Sequence, residues 1–178
     1  GCTTRPFDRG VKLKYSSNEM AQDIDSIIHP IFKEALKYFS YDFEREKGIE
    51  IFSTASIPSG SGLGSSAAFT TSLMQCLSLH LKNNLFSKKD LLMLSTDIEH
   101  KSGNDQIGYQ DQVASIYGSV SIADYYENDL NINKASDSWE RGIIKLIEGK
   151  GFLFKTNPRT GISSNYINSI SLEKKLKM

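Results

Sequence analysis

Several features that mark specialised proteins are scarce in this chain of 178 residues. It has two cysteines, Cys2 and Cys76, which are too few for a disulfide framework. No apolar run approaches the ~20 residues that cross a bilayer, and no secretory signal opens the sequence. Lys plus Arg and Asp plus Glu both number 21, so the net charge is zero. This balance gives no electrostatic reason to expect nucleic acid or an anionic membrane as a partner.

These absences favour a cytoplasmic protein with one globular core. With 39% hydrophobic residues, the chain is long enough to bury a sizeable core. Cys76 falls in an apolar helical run, so a reduced, buried thiol is expected there. His29, His80 and His100 lack metal-ligand spacing, and structural roles are expected for all three. The composition leaves the oligomeric state open, a homodimer included.

Periodicity predicts a mixture of strands and helices. Alternating apolar and basic residues predict a strand over 11–15, with 3–6 as the end of its hairpin partner. Pro30 fits the first turn of a helix. The further predicted elements are a strand over 48–56, a buried helix over 63–81, a capped helix over 87–101, a short helix over 111–117, strands over 119–125 and 151–156, a polar surface excursion over 127–138 and a helix over 163–178. This order predicts an α+β fold, a two-layer α/β sandwich.

The most informative segment is a Gly/Ser-rich turn that precedes the buried helix. It reads Ile-Pro-Ser-Gly-Ser-Gly-Leu-Gly-Ser-Ser-Ala-Ala over 57–68. Glycine lets the backbone approach a ligand at positive φ, and the free N–H groups of a helix N-terminus attract anions. A flexible linker is the alternative, but a linker would continue into polar coil and not into an apolar helix. The predicted phosphate-binding residues are Pro58, Gly60, Ser61, Gly62, Leu63, Gly64, Ser65 and Ser66.

The turn is similar to the nucleotide-phosphate motif of the GHMP kinases, a superfamily that includes galactokinase, homoserine kinase and mevalonate kinase. It lacks the Gly-Lys-Ser/Thr of a Walker loop and the spacing of a dinucleotide fingerprint. A second match consists of Glu99 and the run Gly-Tyr-Gln-Asp-Gln over 108–112. Within the superfamily, this run and Ile-His-Pro-Ile over 28–31 resemble D-glycero-D-manno-heptose 7-phosphate kinases.

The resemblance implies an ATP- and Mg²⁺-dependent kinase that phosphorylates a sugar hydroxyl. In the heptose branch the substrate is D-glycero-D-manno-heptose 7-phosphate and the target is its anomeric oxygen. Two family elements have no match here, the Gly-Gly-Gly-Thr-Asp segment near the usual N-terminus and the Gly-rich loop of the C-terminal half. We therefore expect an N-terminal ATP-binding domain over 1–150 and the start of a C-terminal domain over 151–178, incomplete at both ends.

The same resemblance assigns roles in catalysis. Phosphoryl transfer needs bound phosphates, a metal ion and a carboxylate that orients the acceptor alcohol. In the family pattern Ser66 and Glu99 are the metal ligands, and a hydroxyl and a carboxylate are oxygen donors that suit Mg²⁺. Without the resemblance, Glu99 is equally well an exposed surface glutamate. The matching position makes Asp111 the catalytic base, and an N-cap of the helix that follows is its alternative.

Three further residues are assigned to a sugar or sugar-phosphate substrate. Arg159 is the expected contact for a phosphate already on the substrate, because a guanidinium group binds phosphate bidentately. Gln110 and Gln112 are candidates for hydrogen bonds to sugar hydroxyls. The alternative for each is an ordinary surface residue.

Three rival functions stay open at this point. The chain could belong to another GHMP sugar kinase, similar to a galactokinase or a fucokinase. It could also be a non-catalytic fragment that binds a nucleotide or a sugar phosphate. A purely structural interaction domain ranks last, because it leaves the Gly/Ser turn and the run over 108–112 unexplained.

Overall fold

The computed structural model describes residues 1–57, 61–103, 107–126 and 129–151. Its elements in chain order are β1 (Cys2–Arg5), β2 (Val11–Lys14), β3 (Asn18–Ala21), α1 (Pro30–Tyr38), β4 (Gly48–Phe52), α2 (Ser65–Lys82), α3 (Lys88–Lys101), α4 (Gln110–Tyr117), β5 (Ser121–Tyr126), β6 (Asp129–Lys134) and α5 (Asp137–Lys150). The strand predicted over 151–156, beyond its first residue, and the helix predicted over 163–178 lie outside the described residues.

Four strands form a mixed sheet in the order β1-β4-β2-β3. β2 and β4 run parallel, with α1 in the crossover between them, and β1 and β3 pair antiparallel at the two edges. Val11 lies opposite Ile49 and Leu13 opposite Ile51, and all four side chains are buried. The centre of the sheet therefore supplies one continuous apolar surface to the core.

The strand predicted near the N-terminus has a different partner from the one expected. β1 pairs with β4, with Cys2 opposite Ile51, and not with β2. The free edge of β2 is taken by β3, because a tight turn after β2 returns the chain at once, with Tyr15 N–H donating to the carbonyl of Ser17 at 2.9 Å. The prediction of a hairpin between 3–6 and 11–15 was wrong.

The second face of the sheet is polar. Lys12 and Lys14 both reach Glu50 on the neighbouring strand, with Nζ–O distances of 3.7 and 2.7 Å. These three side chains are partly exposed, whereas their apolar neighbours along the same strands are buried. Alternation with period two thus gives the sheet one core face and one solvated face. The helices cover the core face, and the predicted two-layer arrangement is confirmed.

The helical layer follows from local signals that the sequence carries. Pro30 occupies the first turn of α1, and Ser87 caps α3, its Oγ accepting from Asp90 N–H at 3.2 Å and donating to Asp90 Oδ2 at 2.6 Å. The predicted N-cap at Ser87 is confirmed, and the Asp90 side chain pairs with the serine hydroxyl. Side chains fully buried between the helices and the sheet are Phe32, Leu36, Met74 and Leu77.

The last described elements are α4, the β5–β6 hairpin and α5. Gly118 ends α4 at φ +65°, as predicted from its position. The segment predicted as a polar surface excursion over 127–138 is mostly exposed where it is described, but it contains β6 and the first turn of α5, which were not predicted. Trp139, for which the sequence offered no role, lies on α5 and is 68% exposed. None of the described helices has the length and apolar character needed to cross a membrane.

Candidate active site

The Gly/Ser turn leads into a helix N-terminus that no side chain caps. Gly64 is the N-cap of α2 and has φ +70°, and Gly62 has φ +74°. Both values lie in the left-handed region, where a glycine avoids the steric cost that other residues incur. Because the N-cap Gly64 contributes no side-chain hydrogen bond, the N–H groups of the first turn of α2 and the positive end of the helix dipole can attract an anion.

The carboxyl group of Asp111 stands directly against this turn. A Cβ atom built on Gly64 would lie 3.4 Å from Cγ of Asp111 and 3.7 Å from its Oδ1. Asp111 is exposed in the first turn of α4, and the N-cap of that helix is Tyr109. The alternative role of Asp111 as an N-cap is therefore wrong. Its carboxylate is next to the predicted phosphate-binding backbone and open to solvent.

Glu99 is buried, which is unusual for a glutamate. Its side chain is 2% exposed near the end of α3. Ser66 Oγ donates to its Oε2 at 3.1 Å, and Gln112 Nε2 donates to its Oε1 at 3.2 Å. Burial raises the pKa of Glu99, the nearby charge of Asp111 raises it further, and the hydrogen bonds offset part of this rise. The site thus contains a buried acid whose negative charge lacks a cation partner among the described residues.

Ser66 and Glu99 fit the requirements of a magnesium site. They present a hydroxyl oxygen and a carboxylate oxygen 3.1 Å apart at the start of α2. Mg²⁺ takes hard oxygen ligands and completes its shell with water and phosphate, so two protein ligands suffice. A cation there would also stabilise the charged form of Glu99. No cluster of three or more His, Cys, Asp or Glu side chains that could hold a metal occurs in the described ranges, this site included.

A cavity of about 450 Å³ lies between the end of β4 and α2. Residues that line it include Phe52, Ile57, Ser65, Phe69, Ser72 and Cys76. Ser65 belongs both to this lining and to the first turn of α2, so the cavity adjoins the phosphate-binding turn. Cys76, predicted to be buried, is half-buried at its wall. A volume of this size suits a small ligand.

The structure brings most of the described candidates together at one place. Ser66, Glu99 and Asp111 converge on the start of α2, and Gln110 lies exposed in the first turn of α4 beside Asp111. Ser61 and Leu63 are exposed in the turn, and Ser65 is half-buried. Candidates outside the described residues are Pro58, Gly60 and Arg159.

Gln112 is the candidate residue that was expected to be exposed and is buried instead. It was grouped with Gln110 as a contact for sugar hydroxyls, but it is 1% exposed and bonded to Glu99. The signal was present in the spacing of α4, because Val113 and Ile116 define its inner face and Gln112 lies four residues before Ile116. A glutamine on the inner face of a helix needs a buried partner.

A family model described as the GHMP kinases N terminal domain matches residues 30–119. That span is half of the chain and includes the Gly/Ser turn, Glu99 and Asp111. The chain belongs to the GHMP kinases. Membership in this family agrees with the mixed sheet, the uncapped helix after the turn and the buried glutamate beside it.

Individual GHMP kinases resemble the chain over different lengths. Galactokinase of Schizosaccharomyces pombe is 38% identical over 77 residues, which are 43% of this chain and 15% of the galactokinase. The solved structure of a D-glycero-D-manno-heptose 1-phosphate kinase from Bacteriodes thetaiotaomicron has a TM-score of 0.65 and 22% identity, covering 83% of this chain and 50% of that one. That of a mevalonate kinase has a TM-score of 0.65 and 18% identity, covering 99% and 58%. The chain thus spans little more than half the length of either structure, and these two likenesses support the fold.

Proposed function

We propose that this chain forms the nucleotide-binding part of an ATP- and Mg²⁺-dependent sugar kinase. The observation that carries the proposal is the position of Asp111, whose carboxyl carbon lies 3.4 Å from the Cβ position of Gly64 at the uncapped start of α2. A base beside a phosphate-binding backbone is the arrangement that phosphoryl transfer to an alcohol requires.

In this mechanism the N–H groups of the turn and of the first turn of α2 bind the phosphates of ATP. Asp111 accepts a hydrogen bond from the acceptor hydroxyl and takes its proton as the oxygen attacks the γ-phosphorus. The new O–P bond forms, the bond from the γ-phosphorus to the bridging oxygen breaks, and ADP leaves. Ser66 and Glu99 would hold Mg²⁺, whose charge neutralises the phosphates when it is bound.

The cavity next to Ser65 is the proposed place of the nucleoside. It adjoins the phosphate-binding turn, and the rings of Phe52 and Phe69 line it together with small polar side chains. An apolar cavity with a few polar groups is typical of sites that bind a planar organic base. Asp111 and the exposed Gln110 do not line this cavity, and we propose that the sugar binds next to them.

For the sugar we propose D-glycero-D-manno-heptose 7-phosphate, phosphorylated on its anomeric hydroxyl. The support is the run over 108–112, with Arg159 proposed as the contact for the 7-phosphate. A galactokinase-like activity on an unphosphorylated hexose is the second candidate, favoured by the 38% identity to a galactokinase. The cytoplasmic location, a homodimer and a domain boundary near residue 150 stay predictions.

The proposed base is tested with Asp111→Asn in the complete protein. The amide keeps the size of the side chain but cannot take the proton, so we expect kcat to fall by about 10²-fold or more. ATP affinity, measured by calorimetry, should change little because the backbone of the turn is intact. Asp137→Asn is the matched control, an exposed acid in the first turn of α5, and should keep the wild-type kcat. A wild-type rate for Asp111→Asn would refute the assignment.

A substrate panel tests the choice of sugar. Wild-type protein is assayed for ADP release with heptose 7-phosphate, galactose and fucose. We expect turnover with the heptose phosphate above all. Turnover confined to an unphosphorylated hexose would replace our substrate with the galactokinase-like one. ATP binding without turnover of any of these sugars would instead indicate that the protein is a non-catalytic nucleotide-binding protein.

A further inference from the structure

Gln112 occupies an unusual position for a glutamine, because it is buried against an acid that the proposed function treats as a metal ligand. It is 1% exposed, and its Nε2 donates to Glu99 Oε1 at 3.2 Å. We infer that Gln112 is a positioning residue that orients Glu99 for Mg²⁺. This inference rests on the proposed function, since it concerns the same metal site.

The geometry shows how the orientation is held. Each carboxylate oxygen of Glu99 has its own donor, Gln112 on Oε1 and Ser66 on Oε2. The two donors approach from different helices, α4 and α2, so rotation of the carboxylate would break both hydrogen bonds. The oxygen next to Ser66 is therefore kept at the start of α2, where the phosphates bind. Without Gln112, Oε1 would lose this donor, and only the hydrogen bonds from Ser66 and Thr70 would be left to orient the carboxylate.

Among the described residues, only the nitrogen of the Gln112 amide has a hydrogen-bond partner. Its Oε1 is buried and has no hydrogen-bond partner within the described residues. Buried acceptors without a donor are rare in folded proteins and call for an explanation. Turning the amide over would bring its oxygen against the Glu99 carboxylate, so the present orientation is the favourable one. A water molecule coordinated by bound Mg²⁺ could donate a hydrogen bond to Gln112 Oε1.

Gln112 also links the metal site to the base. Asp111 is its neighbour in the first turn of α4, so one short helix carries the carboxylate at Gly64 and the amide at Glu99. α4 packs against both α2 and α3, which supply the two proposed metal ligands. The residue after the base thus sets the orientation of the acid that binds the metal.

The test compares Gln112→Met with the wild-type protein. Methionine has nearly the same length and no hydrogen-bonding amide. Binding of the non-hydrolysable analogue AMP-PNP is measured by calorimetry over a Mg²⁺ titration and again in EDTA. We expect the apparent Mg²⁺ affinity to fall about 10- to 100-fold, the range for loss of a partner of a metal ligand. Affinity in EDTA should stay at the wild-type value, which a general loss of structure would not allow.

Gln22→Met is the matched control, because it makes the same chemical change at an exposed position outside the site. It should leave the Mg²⁺ titration unchanged. Thermal unfolding identifies the folded variants. If Gln112→Met does not fold, Gln112→Asn decides, since its amide is one methylene too short to keep the contact with Glu99.

The possible failures are distinct. An unchanged Mg²⁺ titration in a folded Gln112 variant, with a wild-type protein that responds to Mg²⁺, overturns the inference alone. If the nucleotide affinity of the wild-type protein does not depend on Mg²⁺, the metal site of the proposed function is refuted, and the inference is refuted with it. A tenfold or larger loss confined to the Mg²⁺ titration supports both.

Discussion

At the scale of residues, Gly64 of the Gly/Ser turn separates the proposed phosphate site from the proposed base. Gly64 has φ +70° and faces Asp111, with no side chain between its own Cα and the carboxyl group. Any other residue would incur strain in the left-handed region and would fill part of this space. The absence of a side chain at Gly64 thus permits the left-handed φ and leaves space next to the Asp111 carboxyl group.

We predict that Gly64→Ala impairs the site more than it impairs the fold. The left-handed φ should cost about 1–2 kcal/mol of unfolding free energy. The new methyl group would lie 3.4 Å from Cγ of Asp111, in the space where the acceptor hydroxyl must approach. We therefore expect kcat/KM to fall by about tenfold or more, a loss of at least 1.4 kcal/mol in transition-state binding. Steady-state kinetics and urea unfolding measure the two effects separately.

Gly103→Ala is the matched control for this prediction. Gly103 also has a positive φ, +98°, but a Cβ there would meet no atom of the described residues within 4 Å. The control should therefore show strain in the unfolding experiment without the kinetic loss. Equal kinetic effects in the two variants would mean that strain alone, and not the contact with Asp111, limits the reaction.

Part of the site could be predicted from residue types, and part could not. The positive φ of Gly62 and Gly64 was predicted correctly, because access to the left-handed region is a property of glycine itself. The burial of Glu99 was not predicted from its own sequence context, since burial depends on what α2 and α4 place around it. Gln112 was assigned wrongly for the same reason. Exposure is a tertiary property that residue identity indicates only weakly.

At the scale of elements, helices with caps were predicted more accurately than strands with distant partners. α3 begins after Ser87 and ends at Lys101, as its capping box and periodicity indicated. The partner of β1 was wrong, because strands pair with segments that are remote in sequence. β6 was missed because it is polar, with Asn131 and Asn133 alternating with two apolar residues. The segment forms a strand by pairing antiparallel with β5, and this pairing is not visible in the sequence of β6 alone.

We predict that Ser87→Ala destabilises the protein by about 1 kcal/mol, the usual cost of losing an N-cap. The serine hydroxyl accepts from Asp90 N–H at 3.2 Å and donates to the Asp90 carboxylate at 2.6 Å, and both bonds would be lost. α3 carries Glu99 at its other end, so local fraying at Ser87 should leave the site intact. Urea unfolding measures the change, and kcat should stay at the wild-type value.

Ser136→Ala is the control, because Ser136 occupies the N-cap position of α5 without a side-chain capping bond. We expect it to change the unfolding free energy by less than about 0.5 kcal/mol. A loss as large as that of Ser87→Ala would show that residue type at the N-cap matters here irrespective of the capping bond.

At the scale of the whole molecule, stability is unevenly distributed. One apolar cluster joins the sheet to α1, α2 and α3, and it contains the fully buried Leu77 of α2. The β5–β6 hairpin reaches the rest of the described structure through α4, and α5 has no buried residue in the described part of the chain. Regions with few buried apolar contacts open at a lower free energy than the core. The proposed metal ligands, Ser66 on α2 and Glu99 on α3, lie on the stable side of this division.

We therefore predict opposite outcomes for one substitution made at two places. Leu77→Ala on α2 removes a side chain with 0% exposure and should lower the unfolding free energy by about 2–5 kcal/mol, through lost burial and the cavity left behind. Leu146→Ala on α5 removes one that is 58% exposed and should change it by less than about 0.5 kcal/mol. Alanine and leucine both favour helices, so helix propensity does not confuse the comparison. Urea unfolding of both variants measures the difference, and similar losses would contradict the assignment of the stabilising core to the sheet and its three covering helices.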